Sequence, residues 1–320
     1  MLVAAAVAAL AAMAAAIAVS ATRSSDTDPG SRTGAGSRAA HLGIGPADAT
    51  PSVATPTRHT GPQGRVGQFV VGCDYSHSGA HDPIVHPGRE GRSHRHDFYG
   101  SVATDSSSTA ETLLGTETTC DKTADSAAYW QPTLYDGDRA VVPLEAHAYY
   151  RAAPGIDPAT VQTMPTGLAM IAGDQTATEP QPGEATGWTC GTATTLSDVV
   201  PECAPSAPLH LVLTFPDCWD GRHVDTADHR SHVANSTDGA CPRSHPVSIP
   251  QLTTSITFPI SGPGHRLRLA SGTTASAHGD FLNAWDPDGL QREVTACIRR
   301  GAVCDLASNR SEEPLFSGGG

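Results

Sequence analysis

The sequence predicts a mainly β fold, at the margin of the α+β class: a disulfide-stabilised, β-sandwich-like single domain with long loops and one C-terminal helix. Three observations predict it. The 320 residues include 32 Gly and 25 Pro, which disfavour helix interiors and punctuate strands. Short apolar or alternating runs recur between these residues. Eight cysteines at wide spacings, without a CxxC pair, are typical of the disulfide framework of an exported protein.

The N-terminal segment, residues 1–22, is an almost unbroken run of Ala, Val, Leu, Ile and Met. We interpret it as a signal peptide. An uncleaved N-terminal membrane anchor is the alternative, because the run is long enough to span a bilayer. Either interpretation predicts a protein that is secreted or at the cell surface. Residues 23–66 are rich in Ser, Thr, Gly, Ala and Pro and predict a disordered linker, and residues 305–320 predict a disordered tail.

The folded domain is expected over residues 67–304. Runs of strand character recur along it at residues 66–71, 93–100, 140–150, 167–174, 209–215, 249–260 and 265–269. The run at 209–215 is the most apolar, and it leads directly into a polar loop at 217–232. The sequence therefore predicts strands joined by long, chemically rich loops.

One helix is expected near the C-terminus. Asp286 suits the N-cap, Pro287 suits the first helical position, and Asp288 interacts favourably with the positive end of the helix dipole. Gly301 suits the C-cap. One apolar face is formed by Leu290, Val294, Cys297 and Ile298.

The cysteine pairing is only partly predictable. Proximity along the chain predicts a Cys297–Cys304 disulfide across the helix end and a Cys190–Cys203 disulfide that closes a short loop. Each closed loop stabilises the fold by about 2–4 kcal/mol, mainly by restricting the unfolded chain. The pairing of the other four cysteines stays open.

Side chains with metal-binding chemistry concentrate in three stretches, residues 93–97, 217–232 and 278–281. Alternate residues of a strand point to the same face, so His94 and His96 are expected to reach one ligand. Neutral imidazole is the commonest ligand of transition metals. A divalent transition metal is therefore a candidate cofactor, with His94, His96, His232 and His278 as its ligands, and the identity of the cofactor stays open. These spacings match no known metal-binding motif.

A metal-free alternative uses general acid–base chemistry on a glycosidic or ester bond. Its predicted catalytic residues are Asp228, His229 and Asp280. The predicted binding residues are Trp130, Trp219 and Trp285, because indole rings stack on sugars, together with Arg230. Each of these residues also has a purely structural interpretation: histidines and aspartates brace loops and cap turns, and tryptophans anchor cores.

Several function classes are disfavoured. The net charge of −13 argues against nucleic acid as a partner, because phosphate binding depends on clustered Lys and Arg. There is no GxSxG motif, which argues against a serine hydrolase of the α/β-hydrolase type.

Several stretches together resemble the DUF1996 family. They include Asp217-Cys218-Trp219-Asp220-Gly221, and in chain order the set is residues 82–88, 93–96, 125–132, 215–221, 228–232, 241–247 and 278–285. The resemblance covers about residues 69–300. This family is a domain of unknown function in secreted or surface proteins, sometimes joined to WSC-type carbohydrate-binding modules. It implies an extracellular or cell-wall setting but no established reaction, and this chain carries no recognisable WSC module.

Three hypotheses of function follow. The first is an exported or cell-envelope protein that binds or acts on polysaccharide or other cell-wall material through a cleft rich in His and Asp. The second is a metal-dependent hydrolase or redox enzyme with histidine ligands. The third is a structural wall or stress protein without catalysis. A membrane is an expected partner only through an uncleaved N-terminal anchor.

Overall fold

A computed structural model describes residues 57–58, 60–61, 64–65, 67–181 and 185–304. The predicted signal peptide or anchor (1–22) and the predicted tail (305–320) lie outside the described residues, as does most of the predicted linker (23–66). In the described part of the linker the chain forms three two-residue strands.

Strands dominate the described residues. In chain order they are β1 (Thr57–Arg58), β2 (Thr60–Gly61), β3 (Gly64–Arg65), β4 (Gln68–Gly79), β5 (His96–Gly100), β6 (Ala128–Pro132), β7 (Leu134–Asp136), β8 (Arg139–Val141), β9 (Glu145–Arg151), β10 (Ala169–Gly173), β11 (Thr186–Cys190), β12 (Leu209–Thr214), β13 (Cys218–Trp219), β14 (Val233–Ala234), β15 (Val247–Ser248), β16 (Gln251–Phe258), β17 (Leu267–Leu269), β18 (His278–Leu282) and β19 (Ala302–Cys304). The helices are α1 (Ala110–Leu113), α2 (Pro287–Glu293), a π-helical turn that continues α2 (Val294–Ile298), and 3-10 turns at Pro158–Thr160 and Thr274–Ser276.

The largest sheet contains strands that pair in the order β10-β18-β6-β5-β4-β9-β16-β12-β11. The long strand β4 belongs to both halves of the sheet. Its first part pairs with β9 and its last part with β5, with a register shift between Tyr75 and His77. Such an irregularity bends a strand and increases its twist, which lets one strand continue from one half of the sheet into the other.

The two halves of the sheet face each other across the main core. The ring of Phe281 on β18 lies 6.3 Å from that of Phe215, which follows β12. Close packing requires glycine at one point: a Cβ on Gly279 would lie 2.4 Å from Leu213 Cδ1. The edge strands β10 and β11 also approach each other, since a Cβ on Gly173 would lie 2.6 Å from Thr186 Cγ2. The sheet is therefore nearly closed, and the side chains between its halves are buried.

A second, smaller core covers the outer face of β5, β6, β18 and β10. Phe98, Trp130 and Leu282 on these strands pack with Leu113 of α1 and with Ile84 of the loop between β4 and β5. Every residue of β5, β6 and β18 is consequently buried, including polar residues of the outer face. The four-residue helix α1 was not predicted, because it is too short to show a helical period.

The predicted fold class is confirmed: the protein is mainly β, with four disulfides and a C-terminal helix. Asp286 caps α2 by accepting a hydrogen bond from the Gly289 amide at 2.7 Å. The predicted Cys190–Cys203 and Cys297–Cys304 disulfides are both present. The remaining cysteines form Cys73–Cys120 and Cys218–Cys241. Among the described helices, none has the length and apolar character needed to cross a membrane.

Candidate metal centre

Three of the four predicted metal ligands meet on the outer face of the sheet. His96 is the first residue of β5 and His278 is the first residue of β18, and β6 runs between these two strands. Side chains two apart share a face, so His96 lies on the same side as Phe98, and His278 on the same side as Leu282. His94 precedes β5 and approaches from the loop. The predicted strand at 93–100 therefore begins three residues later than expected.

The three imidazoles have the spacing of a chelating group. One ligand nitrogen from each lies within 4.8 Å of those of the other two. His94 Nε2 and His278 Nε2 are 3.2 Å apart, and the His94 and His96 ring centroids are 4.3 Å apart. Two nitrogens bound tetrahedrally to one zinc ion, at roughly 2.0–2.1 Å from it, are about 3.3 Å from each other. The pair already has that separation.

Backbone carbonyls fix the tautomer of the two strand histidines. His96 Nδ1 donates to the carbonyl of His81, and His278 Nδ1 donates to the carbonyl of Ser276, each at 2.8 Å. A carbonyl oxygen only accepts, so Nδ1 carries the proton and Nε2 keeps its lone pair. In metal-binding proteins, a hydrogen bond from the second ring nitrogen to a carbonyl orients the histidine in the same way.

His96 Nε2 is buried and has no hydrogen-bond partner among the residues that the structure describes. Leaving a buried polar atom without a partner costs about 1–3 kcal/mol. The centroid of the His96 ring lies 4.3 Å from that of His94 and 5.9 Å from that of His278. His96 Nε2 is therefore placed to bind something other than protein.

Burial favours the neutral form of all three imidazoles. Burial lowers the pKa of His94 to about 4, with the nearby His86 adding to the effect. Burial also lowers the pKa of His278 to about 4, against the opposing hydrogen bond to Ser276. Burial, with the adjacent His94 and His278, holds the pKa of His96 well below its usual range. Neutral imidazole is the form that binds transition metals.

A buried carboxyl group lies on the same face as the imidazoles. Asp280 is two residues after His278 on β18, and its Oδ2 has no hydrogen-bond partner among the described residues. Burial raises the pKa of Asp280 well above its usual range, and the neighbouring Asp82 raises it further. Burial likewise raises the pKa of Asp82, whose Oδ1 accepts hydrogen bonds from the amides of Ile84 and Val85. Asp280 is thus near the imidazoles but not one of the three grouped ligands.

The fourth predicted ligand, His232, lies outside this group. Its Nε2 is hydrogen-bonded to the Ala169 carbonyl at 2.7 Å and its Nδ1 to Thr226 Oγ1 at 3.0 Å. The side chain is fully buried. With both nitrogens engaged, His232 fastens the loop 217–232 to β10.

The predicted catalytic residues of this loop also make local contacts. Asp228 Oδ1 accepts hydrogen bonds from Ser231, Thr226 and Arg230, and these bonds, the Ser231 amide first, hold the pKa of Asp228 below its usual range. His229 Nδ1 lies 3.0 Å from both carboxylate oxygens of Asp225. The structure does not bring Asp228 and Asp280 together as a carboxyl pair.

The predicted binding residues occupy different environments. Trp130 and Trp285 are 2% and 1% exposed, so neither offers a free ring face to a sugar. Trp219 is partly exposed, and its Nε1 donates to the His223 carbonyl at 2.6 Å. Arg230 is exposed and donates through Nη2 to the Gly173 carbonyl at 2.6 Å.

Sequence reasoning missed the carbonyls that orient the imidazoles and the carboxyl group of Asp82, which acts on Asp280. Asp82 had a signal, because it lies in the stretch 82–88 that carried the family resemblance. The carbonyls of His81 and Ser276 had no signal in the sequence, because a contact through a backbone carbonyl does not depend on the side chain of the residue that makes it.

The model of one protein family, described as a domain of unknown function (DUF1996), matches residues 82–285. The chain belongs to the DUF1996 family. The matched residues include His94, His96 and His278. No curated protein and no solved structure matches the chain significantly. Because the family description names no activity, the proposal of a function depends on the geometry of the site.

Proposed function

We propose that this DUF1996 protein is an extracellular metalloprotein that holds a divalent transition-metal ion on His94, His96 and His278 and uses it for metal-assisted hydrolysis. One observation carries the proposal: three imidazole nitrogens from distant parts of the chain converge within 4.8 Å. The fixed tautomers of His96 and His278 support it, because their Nε2 atoms keep the lone pairs that a metal needs.

The number of protein ligands favours a catalytic site over a structural one. Structural zinc sites have four protein ligands, whereas catalytic zinc sites have three and leave one position for water or substrate. His94 is only partly buried, so this side of the group faces solvent. A zinc ion held in this way supplies a water molecule whose pKa is lowered to about 7.

A redox enzyme is the second candidate, because a set of imidazole nitrogens also suits copper. The same three ligands would serve either chemistry, so the identity of the bound metal decides between them.

An exported location agrees with the four disulfides, which persist in oxidising compartments. We propose export by a signal peptide at residues 1–22 and an association with the cell wall. Polysaccharide remains a proposed substrate or partner. The burial of Trp130 and Trp285 leaves Trp219, of the three predicted tryptophans, to stack on a sugar ring.

The test is metal content, measured by elemental mass spectrometry on secreted, untagged protein. The wild type is expected to carry about one equivalent of zinc or copper, and the His94→Ala/His278→Ala double variant is expected to carry none. His223→Ala is the matched control, because this exposed histidine lies outside the three-imidazole group. Folded wild-type protein that takes up neither metal would overturn the proposal.

A further inference from the structure

A guanidinium group lies beside the proposed metal centre. Arg230 Nη2 donates to the carbonyl of Gly173, the residue that pairs with His278 across β10 and β18. The charge of Arg230 acts on both His278 and Asp280. One cationic side chain is therefore anchored at the edge of the site, next to a proposed ligand.

The loop segment that carries Arg230 is fixed on both sides. Asp228 accepts a hydrogen bond from the Arg230 amide at 3.2 Å, and His232 is bonded to the Ala169 carbonyl. Between them, His229 has a φ of 56°, in the left-handed region that non-glycine residues rarely adopt. This tight turn brings Arg230 to Gly173 and limits the freedom that the side chain would lose on binding a ligand.

The charge of Arg230 forms no ion pair among the residues that the structure describes. Among the described residues, no carboxylate oxygen lies within 4.0 Å of its nitrogens. Hydrogen bonds from the hydroxyl and amide of Thr176, with the charge of Arg230 adding to them, lower the pKa of Asp174. Asp174 is thus near Arg230 but not within ion-pair distance, and Asp225 is bonded to His229. A guanidinium has five N–H donors in a planar fork, and only Nη2 of Arg230 is bonded to a described residue.

The electrostatics of the site contrast with those of the chain. The protein has a net charge of −13, whereas the three ligands are neutral imidazoles, so a divalent ion bound there would keep its full positive charge. Arg230 adds a second positive centre beside it. Guanidinium groups bind carboxylate and phosphate with two parallel hydrogen bonds, which gives both affinity and orientation.

We infer that the substrate of the proposed metal centre is anionic, and that Arg230 binds its oxyanion group while the reacting bond lies at the metal. This inference rests on the proposed function. The oxyanion is a carboxylate, a sulfate or a phosphate, as an acidic polysaccharide or an anionic ester would present it.

The experiment titrates acetate, sulfate and phosphate separately into the zinc-loaded protein, with affinity measured by calorimetry. Arg230→Gln is expected to weaken the best-bound anion about 10- to 100-fold, because a charge-assisted hydrogen bond is lost. Arg222→Gln is the matched control, an exposed arginine in the same loop, and should bind as the wild type does. The anion that loses most affinity in Arg230→Gln identifies the substrate class.

The outcomes separate the two proposals. Equal anion affinity in the wild type and in Arg230→Gln, with one zinc bound to each, would overturn the role of Arg230 and leave the metal centre standing. A wild type that binds neither zinc nor copper would overturn both. Arg230→Lys keeps the charge but loses the planar fork, so intermediate affinity is expected. If Arg230→Gln does not fold, wild-type affinity in Arg230→Lys would exclude the two-bond contact.

Discussion

A network of buried polar groups on the core side of strand β6 and a set of buried polar groups on its outer side differ in whether their members have hydrogen-bond partners. On the core side of the neighbouring strand β5, Asp97 Oδ2 also lacks a partner among the described residues. On the core side, Tyr129 donates to Asp125 Oδ2 at 2.7 Å and is hydrogen-bonded to Tyr150, which also accepts from Trp285 Nε1 at 3.1 Å. On the outer side, Trp130 Nε1, Asp280 Oδ2 and His96 Nε2 have no partner among the described residues.

This difference separates a structural network from a site prepared for a ligand. Buried polar groups in native proteins nearly always have hydrogen-bond partners, and each exception needs a cause. The core network meets its own requirements and needs no ligand to explain it. The outer groups lie together on neighbouring strands, and a bound ion with its substrate would supply the missing partners. Three predictions, in order of decreasing effect on stability, test whether the core network and the outer groups differ in this way.

The core network should make stability depend on pH through Asp125. Burial raises the pKa of Asp125 to about 8, against the hydrogen bonds from Tyr129 and Ala127. Between the unfolded pKa, about 3.9, and the folded pKa, only the folded state binds this proton. The stabilisation of the folded state by Asp125 is therefore fully present below the unfolded pKa and is lost as pH rises towards 8.

Relative to Asp125→Asn, the free energy of unfolding of the wild type should fall by about 1.4 kcal/mol for each pH unit in that window. Urea denaturation of both proteins at several pH values measures the slope. Parallel pH profiles would contradict a protonated Asp125 in the core.

Removing one hydroxyl from the core network should have the next largest effect. In Tyr150→Phe, Trp285 Nε1 loses its acceptor and Tyr129 loses one partner, while packing is kept. We expect a loss of about 1–3 kcal/mol in the free energy of unfolding. Tyr135→Phe is the control, because this tyrosine is partly exposed and should change stability by less than about 0.5 kcal/mol. Similar small losses in both variants would mean that the network does not stabilise the fold.

The smallest effect is expected on the outer face. Asp280→Asn keeps the shape of the side chain, and Asp280 Oδ2 has no hydrogen bond to lose. At pH 5 the free energy of unfolding of the metal-free variant should lie within about 1 kcal/mol of that of the metal-free wild type. The reason is that the substitution leaves no hydrogen-bond partner unsatisfied. A loss as large as that of Tyr150→Phe would show that the outer carboxyl is structural, and the contrast between the two faces would fail.

The candidate site was predictable in part. Imidazole chemistry and the spacing of His94 and His96 selected all three clustered histidines, but the same criteria also selected His232. A histidine that ligates and one that braces a loop are identical in sequence. In this structure His232 has protein partners for both ring nitrogens, whereas Nε2 of His96 has none among the described residues and Nε2 of His278 faces another imidazole, that of His94.

The sequence alone determined the features that depend on neighbouring residues: the β class, the cap of α2 at Asp286, and the two disulfides that close short loops. Tertiary structure decided the rest. His94 and His278 are 184 residues apart in the chain. They meet because long-range pairing places β18 and β5 on either side of β6. Sheet order is set by which strands bury their surfaces together, a property of the whole chain. The cluster of three imidazoles is therefore a product of strand pairing and of burial on a face that short-range patterns do not reveal.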